Sequence, residues 1–448
     1  MKRLSEIEVP DSGGRGPEVQ LNLNVRGLPP SATVAINEIS DRLRSEGRRI
    51  FKLGLGQSPF PVPELVVESL RANAHQKDYL QVRGLPALRQ QVARQHEREF
   101  GIEVSPDDIL VGPGSKELMF ILQLVYYGDL VIPTPTWVSY APQAQIIGRH
   151  VRFLPTRRRD GWRLSADQLE ELCASDPGRP RLLILNYPNN PTGGTYSEPE
   201  LKRLADVARR YRVILLSDEI YGRLHHEGAH RSIVPFYPEG TIYSGGLSKW
   251  CGAGGWRLGL FVFPPGLAWL GDAMAAVASE TFTSTSAPIQ YAAVTAFEDH
   301  PEIETYLDRS RRVLRALGRH LASTLMQGGI RVARPQGAFY LFADFSGRAK
   351  ELRARGIRTS AALCERLLAD TGVAILPGSV FGRPAEELTA RLSYVNFDGA
   401  RALQGLEKAE TPGARGELGE SFLREYCGDS LEAVQRICEW AEQSADLT

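Results

Sequence analysis

From about Val62 to Glu298 the chain alternates short apolar runs with helical patterns, and few architectures accommodate that alternation. "DILVG", "DLVIP", "RLLILNY", "VILLSDE", "TIYSGG" and "LGLFVF" are near-continuous apolar runs of the kind buried on both faces. Strands of this type belong in a mostly parallel sheet covered by helices. Glu198 to Tyr211 reads as one such helix, opening on Ser197 and Glu200 in capping-box spacing. Past Pro301 the rhythm changes. A long basic helix, about Ile303 to Met326, leads into "IRVARPQGAFYLFADF", whose alternation predicts antiparallel strands. "GVAILPG" and "RLSYVNF" follow, then a closing helix from Ser430 to Ala441, with the polar "EKAETPGARGELGE" between them as an exposed connection. The expected organisation is α/β. Residues 1–61 form an N-terminal segment joining the small domain, residues 62–300 a large domain, and residues 301–448 a small α+β domain.

Charge and cysteine content narrow the setting. The chain has 53 basic and 53 acidic residues, so nothing draws it electrostatically to nucleic acid or to an anionic membrane. Arginines cluster at "TRRRD", which reads as a solvated turn. Five cysteines without a C-x-x-C pair read as reduced thiols of a cytoplasmic protein. No apolar run is long enough to span a bilayer, since Gln123 interrupts the greasiest one, "LMFILQLVYY". The polar N-terminus lacks a signal-peptide core and reads as a flexible lead-in.

Four features fall at strand ends, where open α/β sheets place their ligands. "VGPGSKELMF" passes from strand through glycines to a helix beginning near Ser115, which suits either an anion or an ordinary turn. "NYPNNPTGG" is a rigid turn that would fix Asn190 as a hydrogen-bond donor. In "LLSDEIY", Asp218 follows buried aliphatics, and a carboxylate there needs a cationic or hydrogen-bonding partner or serves as a helix cap. Tyr221 presents its hydroxyl to the same space. "YSGGLSKWCGAGGWRLG" sets Lys249 among small residues, where a depressed pKa makes a lysine a Schiff-base nucleophile. It is not a dinucleotide loop, because Arg257 stands where the last glycine of G-x-G-x-x-G belongs.

Together these motifs resemble the fold-type I pyridoxal-phosphate enzymes, specifically the aspartate aminotransferase-like class I/II family. N-x-P-x-N-P-T-G is matched at Asn186 to Gly193, D-E-x-Y at Asp218 to Tyr221, and S-K with G-W-R-x-G at Ser248, Lys249 and Gly255 to Gly259. The resemblance runs from about Phe51 to Phe397. It implies that Lys249 carries pyridoxal 5'-phosphate as a Schiff base and acts as the proton-moving base. It further implies that Asp218 pairs with the ring nitrogen and that Tyr221 and Asn190 bond the phenolic oxygen. Gly114, Ser115, Lys116, Ser248 and Arg257 would hold the phosphate, and Trp137 would stack on the ring. Tyr79 would reach the neighbouring subunit's cofactor, implying a homodimer with shared active sites. Arg391 would fork onto the substrate carboxylate, with Gly56, Trp137 and Asn190 also lining the substrate site. No metal is implied.

The activity so implied moves an amino group from an α-amino acid to a 2-oxo acid with ping-pong kinetics. Lys116 stands where some acidic-substrate members carry a lysine for the distal carboxylate, which points to aspartate or glutamate; otherwise it is a solvated lysine or a phosphate ligand. Gly246 replaces a common phosphate-binding hydroxyl, for which Ser244 or Ser248 could compensate, and "GQSPFPVPE" replaces the usual G-E-P-x-F. The stretch from Glu407 is longer than in many relatives. A lyase, cyclase or carbon–carbon bond-forming enzyme on the same scaffold would use the same residues. A non-catalytic regulator module is disfavoured by the short, non-basic segment before "FKLGLGQ".

Overall fold

A computed structural model describes residues 21–409 and 418–443. The expected N-terminal lead-in and residues 410–417 of the expected connection lie outside the described residues. In chain order the strands are β1 (Phe51–Lys52), β2 (Ile109–Gly112), β3 (Asp129–Thr134), β4 (Val151–Pro155), β5 (Arg181–Asn186) and β6 (Ile214–Asp218). They continue with β7 (Thr241–Gly246), β8 (Gly259–Val262), β9 (Tyr340–Asp344), β10 (Val373–Ala374), β11 (Leu376–Pro377) and β12 (Thr389–Ser393).

Seven strands form one sheet in the order β2-β8-β7-β6-β5-β3-β4. All neighbours pair in parallel except β8, which runs antiparallel to β2 and β7. Five of the six apolar runs are its inner strands, and the sixth is β2, at one edge. β4 was not foreseen: it is an edge strand, half exposed, with Arg152 inside it and Pro155 at its end, so it lacks an apolar run. Helices cover both faces. Glu198–Arg210 has the expected capping box and buries Leu201, Leu204, Ala205 and Ala208 against the sheet.

The second part of the chain packs around helix Pro301–Gln327, whose buried Ile303, Leu307, Leu314, Leu317, Leu321 and Leu325 recur at helical spacing. β11, β12 and β9 form a three-stranded antiparallel sheet, and β1 pairs in parallel with β10, tying the N-terminal segment to this part. Two expectations need correction. The alternating stretch after Ile330 is a strand only at Tyr340–Asp344, because Pro335 and Gly337 interrupt it. The closing helix is Glu420–Glu442, longer than expected, because Leu423 and Cys427 extend its buried face; a break at Cys427 (φ −125°) divides it.

Candidate active site

Five strand ends converge on one edge of the large sheet. β2 ends at Gly112, β3 at Thr134, β5 at Asn186, β6 at Asp218 and β7 at Gly246, while antiparallel β8 begins there at Gly259. The loops leaving this edge line a cavity of about 560 Å³. It gathers Gly56, Ser115, Lys116, Trp137, Asn190, Asp218, Tyr221, Ser248, Lys249 and Arg257, which the sequence places up to 201 positions apart.

Asp218 is buried at the end of β6. One carboxylate oxygen accepts a hydrogen bond from the Tyr140 hydroxyl and the other a long one, 3.4 Å, from the Ile220 N–H. Burial raises its pKa to about 6, with the Tyr140 and Ile220 hydrogen bonds opposing the rise. No cation is within salt-bridge range of it among the described residues. Lys249, three residues past β7, donates to the Gly56 carbonyl at 2.7 Å. Desolvation, then Arg391 and Arg257, lower its pKa to about 8. The Tyr221 hydroxyl lies 2.7 Å from that of Tyr340.

Beside them is a cradle built by close backbone approach. Helix Ser115–Val125 starts on Gly114 with no side-chain cap, so its first N–H groups are free for an anion. A Cβ on Gly114 would lie 2.2 Å from Arg257 Nη2, and one on Gly259 2.0 Å from the Ser115 nitrogen. Arg257 itself has φ +57°, a left-handed conformation unusual outside glycine. Gly246 has φ +153°, and a Cβ there would meet the Leu258 carbonyl at 2.7 Å. Here Ser248 lines the cavity, and Ser244 is buried away from it.

The opposite wall comes from elsewhere in the chain. Arg391, in the middle of β12, is fully buried; it donates to Asn190 Oδ1 at 3.1 Å and to the Gly54 carbonyl. It thus stands behind Asn190, outside the cavity lining, with the Tyr340 and Phe381 rings against its guanidinium. Asn190 is in turn fixed by its N–H, which donates to Asn186 Oδ1 at 2.8 Å. Trp137 sets its ring edge-on to Tyr140, and Lys116 Nζ is 5.5 Å from the Trp137 ring. Tyr79 is remote from the cavity and 89% exposed, which excludes a core role. Sequence reasoning missed Tyr140, Tyr340 and Gly54, and gave Asn186 no role beyond its place in the motif. Tyr140, three residues after Trp137 in "TPTWVSY", offered the one local signal.

A lysine, a buried carboxylate and an anion cradle at the ends of a parallel sheet define a pyridoxal-phosphate-dependent transferase of fold type I. The family model for aminotransferase class I and II matches residues 48–400. An aspartate aminotransferase of Geobacillus stearothermophilus is 33% identical, the match covering 87% of this chain and 97% of that one. A probable aspartate/prephenate aminotransferase of Thermus aquaticus is 34% identical with the same coverage, 87% and 97%. Among solved structures, the aspartate aminotransferase of Thermus thermophilus with maleate matches with a TM-score of 0.78 and 29% identity, over 94% of this chain and 100% of that one. The chain belongs to the class I and II aminotransferase family, and its activity is that of an aminotransferase. Members of the family use pyridoxal 5'-phosphate. The residues fit that group: the uncapped helix start beside Arg257 suits its phosphate, and the unpaired Asp218 carboxylate suits a protonated ring nitrogen.

Proposed function

We propose that the chain transfers the amino group of an acidic α-amino acid, aspartate or glutamate, to a 2-oxo acid, using the residues named above. The observation that carries this reading is the single cavity shared by Lys249, Asp218, Arg257 and Lys116. The relatives named as aspartate aminotransferases support the acidic donor.

When bound, pyridoxal 5'-phosphate supplies an aldehyde for amines and a ring that accepts the electron pair left at the substrate α-carbon. Lys249 Nζ would hold the cofactor and, once displaced, take the α-proton; its pKa of about 8 leaves about a tenth of it as free amine at pH 7, far more than an ordinary lysine has. Asp218 holds the proton on the ring nitrogen. The Ser115 and Lys116 N–H groups, with Gly114 providing room, Ser248 and Arg257 hold the phosphate. Trp137 covers the ring, and Tyr221 and Asn190 orient its phenolic oxygen. Arg391 takes the substrate α-carboxylate, Gly56 closes that side, and Lys116 takes the distal carboxylate.

Lys116→Gln tests the donor assignment: KM for aspartate rises about tenfold, while KM for alanine and cofactor affinity stay unchanged. Equal losses for all donors, with weaker cofactor retention, would assign Lys116 to the phosphate instead.

Tyr79 supports a homodimer, because its exposed side chain has no partner in its own cavity. We also propose a cytoplasmic setting, which five free, buried cysteines support. No helix among the described residues is long and apolar enough to cross a membrane. The proposed division remains 1–61, 62–300 and 301–448; the β1–β10 pairing supports grouping the N-terminal segment with the last part.

A further inference from the structure

Behind Asp218 lies a second buried carboxylate that the reaction as described does not use. Glu219 is the next residue, with its side chain 1% exposed. Its Oε1 accepts from three hydroxyls: Ser217 and Ser232 at 2.6 Å each, and Tyr187 at 3.2 Å. Its Oε2 lies 2.6 Å from His230 Nε2. The Tyr187 hydroxyl also accepts from the Ile233 N–H at 2.9 Å, and the Tyr187 N–H donates to the Asp218 carbonyl at 3.3 Å. One carboxylate therefore ties together the end of β6, the turn that carries Asn190, and the 230–233 loop. A buried carboxylate given hydroxyl donors at this density has its oxygens satisfied within the protein.

We propose that Glu219 is a positioning residue for the transamination, acting through Asp218: its buried negative charge fixes the field at the back of Asp218 and so strengthens that carboxylate's hold on the cofactor's ring-nitrogen proton. The inference rests on the assignment of Asp218 to the ring nitrogen. The charge of Glu219 is among the influences that raise the pKa of Asp218. Other charges surround both groups. On the far side of Glu219 and His230, a polar cavity of about 420 Å³ brings up Arg98 and Glu99 from helix Pro86–Phe100, Arg223 from the turn after β6 and Tyr243 from β7. Glu298 and Asp299 face it from a turn, Glu304 and Arg311 from helix Pro301–Gln327, and His225 lies close to His230. On the near side, Lys249 acts on Asp218 with the opposite sign to Glu219, and Tyr140 donates to it. On the far side Arg223 contacts two carboxylates, Glu304 and Glu99. The basic group in salt-bridge range of Glu219 is His230, at 2.6 Å, and no arginine or lysine joins it among the described residues.

The experiment uses the cofactor-loaded enzyme and reads the pH midpoint of its visible absorbance change, which reports the proton held at Lys249 Nζ. Glu219→Gln keeps the size of the side chain and removes the charge; the midpoint moves by about half a pH unit or more. Glu219→Asp keeps the charge and disturbs the hydrogen bonds; the melting temperature falls and the midpoint stays within about 0.2 unit of the parent. A Glu219→Gln midpoint equal to the parent's, or a Glu219→Asp midpoint displaced as far as that of Glu219→Gln, overturns the proposal in favour of a purely structural role. If Glu219→Gln does not fold, the Glu219→Asp midpoint alone decides: unmoved upholds the proposal, moved overturns it. The underlying Asp218 assignment is read separately, by the 15N shift of ring-labelled cofactor in Asp218→Asn. That shift moves to the unprotonated position if the assignment holds and does not move if it fails.

Discussion

The wall that carries Asp218, Lys249 and Arg257 is made of strand ends packed backbone to backbone, whereas the wall that carries Gly54, Gly56 and Arg391 is joined to it by hydrogen bonds from long side chains. A Cβ on Gly259 or Gly246 would run into main-chain atoms, at 2.0 Å from the Ser115 nitrogen and 2.7 Å from the Leu258 carbonyl. A Cβ on Gly56 would meet the far end of a side chain, the Tyr340 hydroxyl, at 2.0 Å. Backbone collisions cannot be relieved by a rotamer change, and side-chain ends can swing away. The difference teaches a division of labour. The first wall is preformed for a resident group, and the second gives way to groups that come and go.

Substitutions can break or sharpen this contrast. Lys249→Ala lowers turnover by about 10⁴-fold, since both the covalent anchor and the base disappear, and single-turnover kinetics measures it. Arg391→Lys lowers kcat/KM by about 100-fold because a lysine cannot reproduce the planar fork. Its cofactor content, read by absorbance, stays that of the parent; loss of cofactor would mean that the two walls are not independent. The third expectation concerns pH. Lys249 has a pKa of about 8 rather than 10.5, so uptake of cofactor by the apoprotein, which needs the neutral amine, quickens about tenfold per pH unit below 8 and levels off above it. A rate still climbing at pH 10 would place Lys249 in an ordinary aqueous setting. The smallest effect belongs to Gly56→Ala, for which the Tyr340 hydroxyl must move: KM rises about three- to tenfold and kcat holds. A larger drop in cofactor retention than in KM would show that this wall is as rigid as the other.

The same contrast separates what the sequence disclosed from what it hid. The strands and the residues just past them were legible, because an apolar run that stops at Asn186, Asp218 or Gly246 announces both the strand and its end. Those residues make the first wall. The second wall depends on pairings between distant positions, such as Arg391 with Gly54 and with Asn190, and no local pattern encodes them. Tyr140 is marked in the sequence only by lying three residues after Trp137. Its role comes only from its hydroxyl ending on a carboxylate 78 positions away. Edge strand β4 was hidden for a different reason: half its residues face water, so its pattern is that of a loop.

One consequence of the Gly54 carbonyl on Arg391 concerns what a binding measurement there would report. A carboxylate arriving at this buried guanidinium would carry out a ligand exchange, with a neutral main-chain oxygen as the leaving ligand. A forked carboxylate would replace that one acceptor by two charged oxygens and could reach the Nε that now has no partner, so selection would rest on charge and geometry together. Amides and esters of the same shape would bring only neutral oxygen and gain less.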